Sequence, residues 1–166
     1  MAKEKDLHDA FHETLKDVYF AEKHSVKACK KAAKHAQAPE LKATFEEHAE
    51  MSRHQVTRLE QVFESIDKNP RGKTCEAISG IMAEMEEDLE DFGGTAAGDA
   101  VLIGCAQAIE HYEIARYGML RTWAQQLGNT SAAKLLAETL AEEEATDKKL
   151  SELAGTLNMT GTKKAA

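Results

Sequence analysis

The alternation of four and three residues between apolar positions constrains this chain more than any other feature. Phe45, Ala49, Ser52, Val56, Leu59 and Phe63 keep it without a break; Phe11, Leu15, Val18, Ser25 and Cys29 keep it once position 22 is counted in. That period lays a stripe along one side of an α-helix, the seam of a bundle, and is incompatible with the two-residue period of a strand. Such stripes run from about residue 4 to 36, 39 to 66, 99 to 127 and 130 to 155. The chain is therefore expected to be all-α.

The breaks between the stripes set the connectivity. Pro39 in "QAPEL" fits the first turn of a second helix, and "DKNPRGKT" is a turn-rich interruption. A shorter helix over about 74–91 carries Ile78, Ile81, Met82, Met85 and Leu89 inward. "DFGGTAAGD" ends it, Asp99 is the expected N-cap of the third long helix, and Gly128 in "LGNTS" stops that helix before Thr130 or Ser131 starts the last. Short links make antiparallel hairpins of the first and last pairs of long helices. The link between the second and third is long enough to cross the bundle, giving a ferritin-like four-helix bundle with an additional short helix in its crossover. A plain five-helix bundle would satisfy the same spacings. The expected organisation is one domain over 4–155, with 156–166 as a flexible C-terminal tail.

With 42% apolar and 30% charged residues the chain has a globular balance. Its net charge of −8 argues against nucleic-acid binding through a general basic field. No run of 18 apolar residues or apolar leader core is present, and Cys29, Cys75 and Cys105 are odd in number and widely spaced. They read as reduced thiols of a cytoplasmic protein rather than a disulfide framework or a zinc site.

The stripes are not purely apolar. Glu22 completes the alternation of the first helix, and Glu110 lies among Ile103, Ala106, Ile114 and Tyr117 on the third. At about 100° per residue, Glu113 is about 60° from Glu110 and still inward, and His111 lies about 100° to the other side. Leu136, Leu140, Leu150 and Ala154 bracket Glu143 and Asp147 on the last helix; His48 and Ser52, with Gln55 close by, face inward on the second. A single inward glutamate is ordinarily a side chain reaching solvent or a basic partner, and His48 alone reads more readily as a hydrogen-bonded core histidine than as a ligand. Agreement among four helices changes the balance, because converging carboxylates repel one another unless a cation lies between them. Oxygen donors with imidazole suit two iron ions, or manganese or another divalent metal in their place. His111 is then expected to orient a neighbouring carboxylate. His8, His12, His24, His35 and His54 read as surface residues, Met82 and Met85 as core, and Glu138, Glu142 and Glu144 as a solvated face.

The segments "VYFAEKHSV", "HAEMSRHQVTRLEQVFE", "DAVLIGCAQAIEHYEIARYGML" and "AAKLLAETLAEEEATDKKL" resemble the YciE/YciF family of ferritin-like proteins over about residues 6–155. The resemblance implies a ferritin-like bundle, a homodimer and a link to bacterial stress responses, with metal-type positions at Glu22, His48, Glu110, Glu113, Glu143 and Asp147. One position departs from the family pattern: "HAEMS" stands where the family has "HLEET", so Met51 replaces a glutamate. A thioether is a poor substitute for a hard anionic ligand. Glu50 or Gln55 could compensate, solvent could fill the position, or the site could hold one metal or none. Two functions follow. In the first, Fe(II) at the site reacts with O2 or peroxide, with Tyr19 or Tyr112 close enough to donate a hydrogen bond. In the second, the chain is a non-enzymatic, stress-associated dimer with a degenerate or empty site.

Overall fold

A computed structural model describes residues 4–159 and 162. Its elements are α1 (Leu7–His35), α2 (Pro39–Glu64), α3 (Glu76–Phe92), α4 (Gly98–Gln126) and α5 (Thr130–Leu157), with no strand among the described residues. No helix among them is long and apolar enough to cross a membrane. α1 opens with a reciprocal cap: Asp9 N–H donates to Asp6 Oδ1, and Asp6 N–H donates to Asp9 Oδ2. Asn129 caps α5 by accepting from Ala132 N–H, directly after Gly128, whose φ of 74° closes the α4–α5 turn.

Two boundaries differ from the sequence expectation. Asp99 is not the N-cap of α4, which starts one residue earlier behind Ala97. Its carboxylate instead accepts the backbone N–H groups of Gln37 and Ala38, both at 2.8 Å. The start of α2 lacks a capping side chain of its own because Ala38 precedes Pro39, so the donors there are satisfied from across the fold. The helical chain also runs past 155, since Leu157 is buried and packs into the core. Of the expected tail, residues 160, 161 and 163–166 lie outside the described residues.

Cross-helix contacts fix the directions. Glu22 meets Tyr117 and Ser25 meets Glu113, so α1 and α4 are antiparallel. His48 meets Thr146 and Gln55 meets Glu142, so α2 and α5 are antiparallel as well. With α1–α2 and α4–α5 each a hairpin, α2 and α4 must run the same way, and the chain has to return the length of the bundle between them. It does so through a strap over 65–75 that passes across α1, where Lys73 N–H donates to Lys16 O at 3.2 Å. α3 then climbs beside α4. This is the long crossover of the ferritin-like arrangement and decides against the plain five-helix alternative.

The core falls into two apolar clusters. One gathers Leu41, Phe45, Ile78, Leu102, Ile103 and Leu150; the other gathers Phe11, Leu15, Leu59, Phe63, Leu120 and Leu136. Between them the buried side chains are polar: Glu22, Ser25, His48, Ser52, Gln55, Glu110, Glu113 and Glu143.

Candidate metal centre

The polar layer exists because each long helix presents one or two turns of polar residues at the height where its neighbours do the same. Glu22 and Ser25 come from α1; His48, Ser52 and Gln55 from α2; Glu110 and Glu113 from α4; Glu143 and Thr146 from α5. His48, Glu110, Glu113 and Glu143 each bring one donor atom into a group whose members all lie within 4.8 Å of one another. His48 Nε2 is 3.1 Å from Glu110 Oε1 and 3.7 Å from Glu143 Oε2, and makes a hydrogen bond to neither.

Neighbours hold these groups in place. Ser25 Oγ–H donates to Glu113 Oε1 at 2.7 Å, and Tyr117 O–H donates to Glu22 Oε1 at 2.6 Å. Thr146 Oγ1 lies 3.3 Å from His48 Nδ1 and 3.0 Å from the Glu142 carbonyl. A carbonyl only accepts, so the single hydroxyl proton of Thr146 goes there and Nδ1–H of His48 is the donor to Thr146 Oγ1. In a neutral imidazole that assignment puts the Nε2 lone pair toward the carboxylates, the form in which imidazole binds a metal.

The electrostatics of the layer are unbalanced by protein groups alone. Burial pushes the Glu22 and Glu143 carboxyls well above the ordinary range, and their negative neighbours push them further. Burial takes Glu110 up to about 8, with Glu113 and Asp147 adding to it and contact with Glu143 opposing. Glu113 is also raised by burial, held back by the Ser25 hydrogen bond and by His48. Glu22 Oε2, Glu110 Oε2, Glu113 Oε2, both Glu143 oxygens and His48 Nε2 are buried without a hydrogen-bond partner among the described residues. Each unpaired buried carboxylate costs on the order of several kcal/mol. A divalent cation fits this donor set: it would meet the orphaned atoms, and hard oxygen with imidazole matches iron or manganese.

The six candidate ligands do not all converge. Glu22 is fully buried in the layer and feels the charges of Glu113 and Glu143, but it stands outside the tight group of four. Asp147 is drawn to the rim, where Gln107 Nε2 donates to its Oδ1 at 2.9 Å and His111 Nε2 lies 3.1 Å from the same oxygen. His111 thus does face a carboxylate, as expected. The tyrosine that reaches the layer is Tyr117, one heptad after Glu110 on the same face; Tyr19 donates to Glu60, and Tyr112 contacts Cys75. Glu142 is not part of a solvated face, because Arg58 grips both its oxygens and Gln55 Nε2 donates to it at 3.1 Å. His12 and His24 are half-buried rather than on the surface: His24 stacks on Phe20 and His12 meets the edge of Phe63. Met85 is buried and Met82 half-buried against the core.

At position 51 the structure separates the alternatives. Glu50 is exposed and paired with Arg53, so it does not compensate. Met51 is half-buried and belongs to neither apolar cluster. Ser52 and Gln55 hold the buried positions of α2 beyond His48, and Ser52 Oγ and Gln55 Oε1 lack hydrogen-bond partners among the described residues.

The family described as "Domain of unknown function (DUF892)" matches residues 6–163. The chain belongs to this family. Among DUF892 relatives, Protein YciF of Escherichia coli strain K12 is 44% identical over 152 residues, covering 90% of this chain and 91% of that protein. The crystal structure of the E. coli stress protein YciF superposes with a TM-score of 0.88 at 42% identity, over 93% of this chain and 98% of that one. YcfI from Rhodopseudomonas palustris superposes with a TM-score of 0.87 at 35% identity, over 91% of this chain and 97% of that one. These matches agree with the family read from the sequence segments and with its helical bundle.

Proposed function

We propose that this DUF892 protein is a stress-associated iron protein whose polar layer holds two ions, the first among His48, Glu110, Glu113 and Glu143. The observation that carries the reading is the convergence of those four buried residues together with their orphaned donor atoms. Glu22 is the carboxylate left for the second ion. Asp147 acts from the rim through its contacts with Gln107 and His111. When bound, Fe(II) supplies the electrons that reduce O2 or peroxide.

The chain's own residues supply the rest. The two apolar clusters keep bulk water from the layer, and Thr146 fixes the His48 tautomer. Ser25 and Tyr117 hold one oxygen each of Glu113 and Glu22 by donating to it, leaving the other oxygen of each carboxylate bare. The stress association rests on the resemblance to the E. coli stress protein YciF. A cytoplasmic homodimer belongs to the same proposal, and sedimentation of the purified protein tests its size.

Anaerobic Fe(II) titration, with element-specific analysis of protein purified without chelator, is expected to saturate near two ions per chain. A stoichiometry of zero sinks the reading. One observation favours a second reading, a non-enzymatic bundle with a degenerate site: past His48, α2 offers only Ser52 and Gln55, both neutral, beside Met51. Equal melting temperatures with and without Fe(II) or Mn(II) would support it.

A further inference from the structure

Helix register fixes what α2 offers beside Glu22. His48 Nε2 on α2 lies 3.1 Å from Glu110 on α4, and these two helices run the same way. Two turns on, seven residues or about 10.5 Å along each helix, stand Gln55 and Tyr117. Tyr117 O–H donates to Glu22 Oε1, so Gln55 occupies the level of Glu22, the carboxylate outside the tight group of four. Gln55 is fully buried there.

Its amide has one orientation. Gln55 Nε2 donates to Glu142 Oε2 at 3.1 Å, and Arg58 grips both oxygens of that carboxylate. A carboxylate paired with a guanidinium only accepts, so the amide NH2 must face Glu142 and the carbonyl oxygen must point away from it. That oxygen, Oε1, is buried without a hydrogen-bond partner among the described residues, and so is Glu22 Oε2. The hydroxyls of the layer do not fill the gap. Tyr117 and Ser25 are committed to Glu22 and Glu113, and Thr146 to the Glu142 carbonyl. Ser52, one turn before Gln55, makes no bond with it. A buried carbonyl oxygen left bare is costly, and a hard cation is a partner that removes the cost.

We infer that Gln55 Oε1 is the α2 ligand of the second ion, a neutral oxygen that meets it beside Glu22, and that Glu142 and Arg58 are positioning residues that aim it. This role presupposes the two-ion reading. Gln55 supplies from α2 the oxygen donor that Met51 does not. Charge is balanced as well. Glu22, Glu110, Glu113 and Glu143 carry four negative charges when ionised, as many as two divalent ions neutralise, and neutral His48 and Gln55 add none. The subsite therefore suits a divalent ion such as Fe(II) or Mn(II).

Anaerobic Mn(II) titration of the full chain, read by loss of the free-ion EPR signal, is expected to resolve two steps. Gln55→Leu should weaken the second step by more than about 10-fold and leave the first within about twofold. Gln55→Met, which keeps the side-chain length, serves if Gln55→Leu does not fold. Glu142→Gln, whose own NH2 lets the Gln55 amide turn over, should weaken the second step alone, and by less. In the unsubstituted chain Zn(II), a diamagnetic probe, should shift the Gln55 side-chain carbonyl ¹³C resonance at the second equivalent. The same resonance of Gln37, whose amide donates to Thr95 O, should stay in place. A second step unchanged in Gln55→Leu, or equal weakening of both steps, overturns the role of Gln55 while the two-ion reading stands. Uptake of a single ion with the Gln55 resonance unmoved overturns that role and leaves the four-residue site in place. No uptake at all defeats the proposed function and the role of Gln55 together.

Discussion

The two hairpins of the bundle contribute unequally to the layer they share. α4–α5 supplies three buried carboxylates, Glu110, Glu113 and Glu143, with Thr146 and Tyr117 as supports. α1–α2 supplies Glu22 and His48, and otherwise the neutral Ser25, Ser52 and Gln55. Both are antiparallel pairs of comparable length, so the difference is one of chemistry and not of architecture. It teaches that the cation demand of this fold is concentrated on one hairpin. The other contributes one imidazole, one carboxylate and the neutral groups of Ser25 and Gln55, which donate to Glu113 and Glu142, and of Ser52.

The comparison breaks most decisively at Glu143. Glu143→Leu removes a carboxylate central to the charge-rich half and is expected to weaken Fe(II) or Mn(II) binding by more than about 100-fold, beyond the loss typical of supporting residues. The same change replaces a buried carboxyl whose oxygens lack hydrogen-bond partners with apolar bulk, so the metal-free protein should gain about 1–3 kcal/mol in chemical denaturation. Ser52→Ala, on the opposite hairpin, should leave both quantities nearly unchanged; matching losses from the two substitutions would erase the asymmetry.

Acidity gives the next largest effect. Glu110 in the folded protein sits at about 8, against an ordinary value of 4.5. A carboxyl raised on folding binds its proton more tightly in the native state, so its contribution is fully present below about 4.5 and is lost as pH rises through about 8. The metal-free protein should therefore melt at progressively lower temperature between those limits. Saturating metal should remove most of that slope, because the layer's charge is then balanced by the ion; a melting temperature that rises with pH in the metal-free protein contradicts the assignment.

Met51→Glu returns a carboxylate to the poorer hairpin and should tighten the weaker of two binding steps in an anaerobic titration. Unchanged binding would show that Ser52 and Gln55 already suffice. Thr146→Val frees His48 Nδ1 and should cost a smaller loss than Glu143→Leu, about 10-fold in metal affinity. Its clearest signature is a changed tautomer, read from the imidazole ¹⁵N shifts of the metal-free protein.

Much of this was legible in the sequence because a helix is rigid over a few turns. Once Phe11, Leu15, Val18 and Cys29 define a stripe, the burial of Glu22 follows from phase alone, and the same holds for Glu110 and Glu143. Phase does not report which buried group meets which. Asp147 lies one turn beyond Glu143 on the same side, yet Gln107 and His111 of the adjacent helix turn it to the rim. Asp99 has the composition and position of a cap for its own helix, but serves the start of another 61 residues away in sequence. Tyr117 was visible as a stripe residue; its hydrogen bond to Glu22 depends on a contact across 95 positions. Periodicity specifies the inward face of each helix, and partners across helices are set by docking.

The parallel run of α2 and α4 has a kinetic consequence. Each hairpin is local in sequence and can form early, but the layer is assembled only when the two dock, after the strap and α3 have closed a long loop. Docking is also the step that brings Glu22 and His48 against Glu110, Glu113 and Glu143 and strips them of water. Refolding of the metal-free chain should thus slow as pH rises toward 8 through that step alone, and a divalent cation added during refolding, rather than afterwards, should restore its rate.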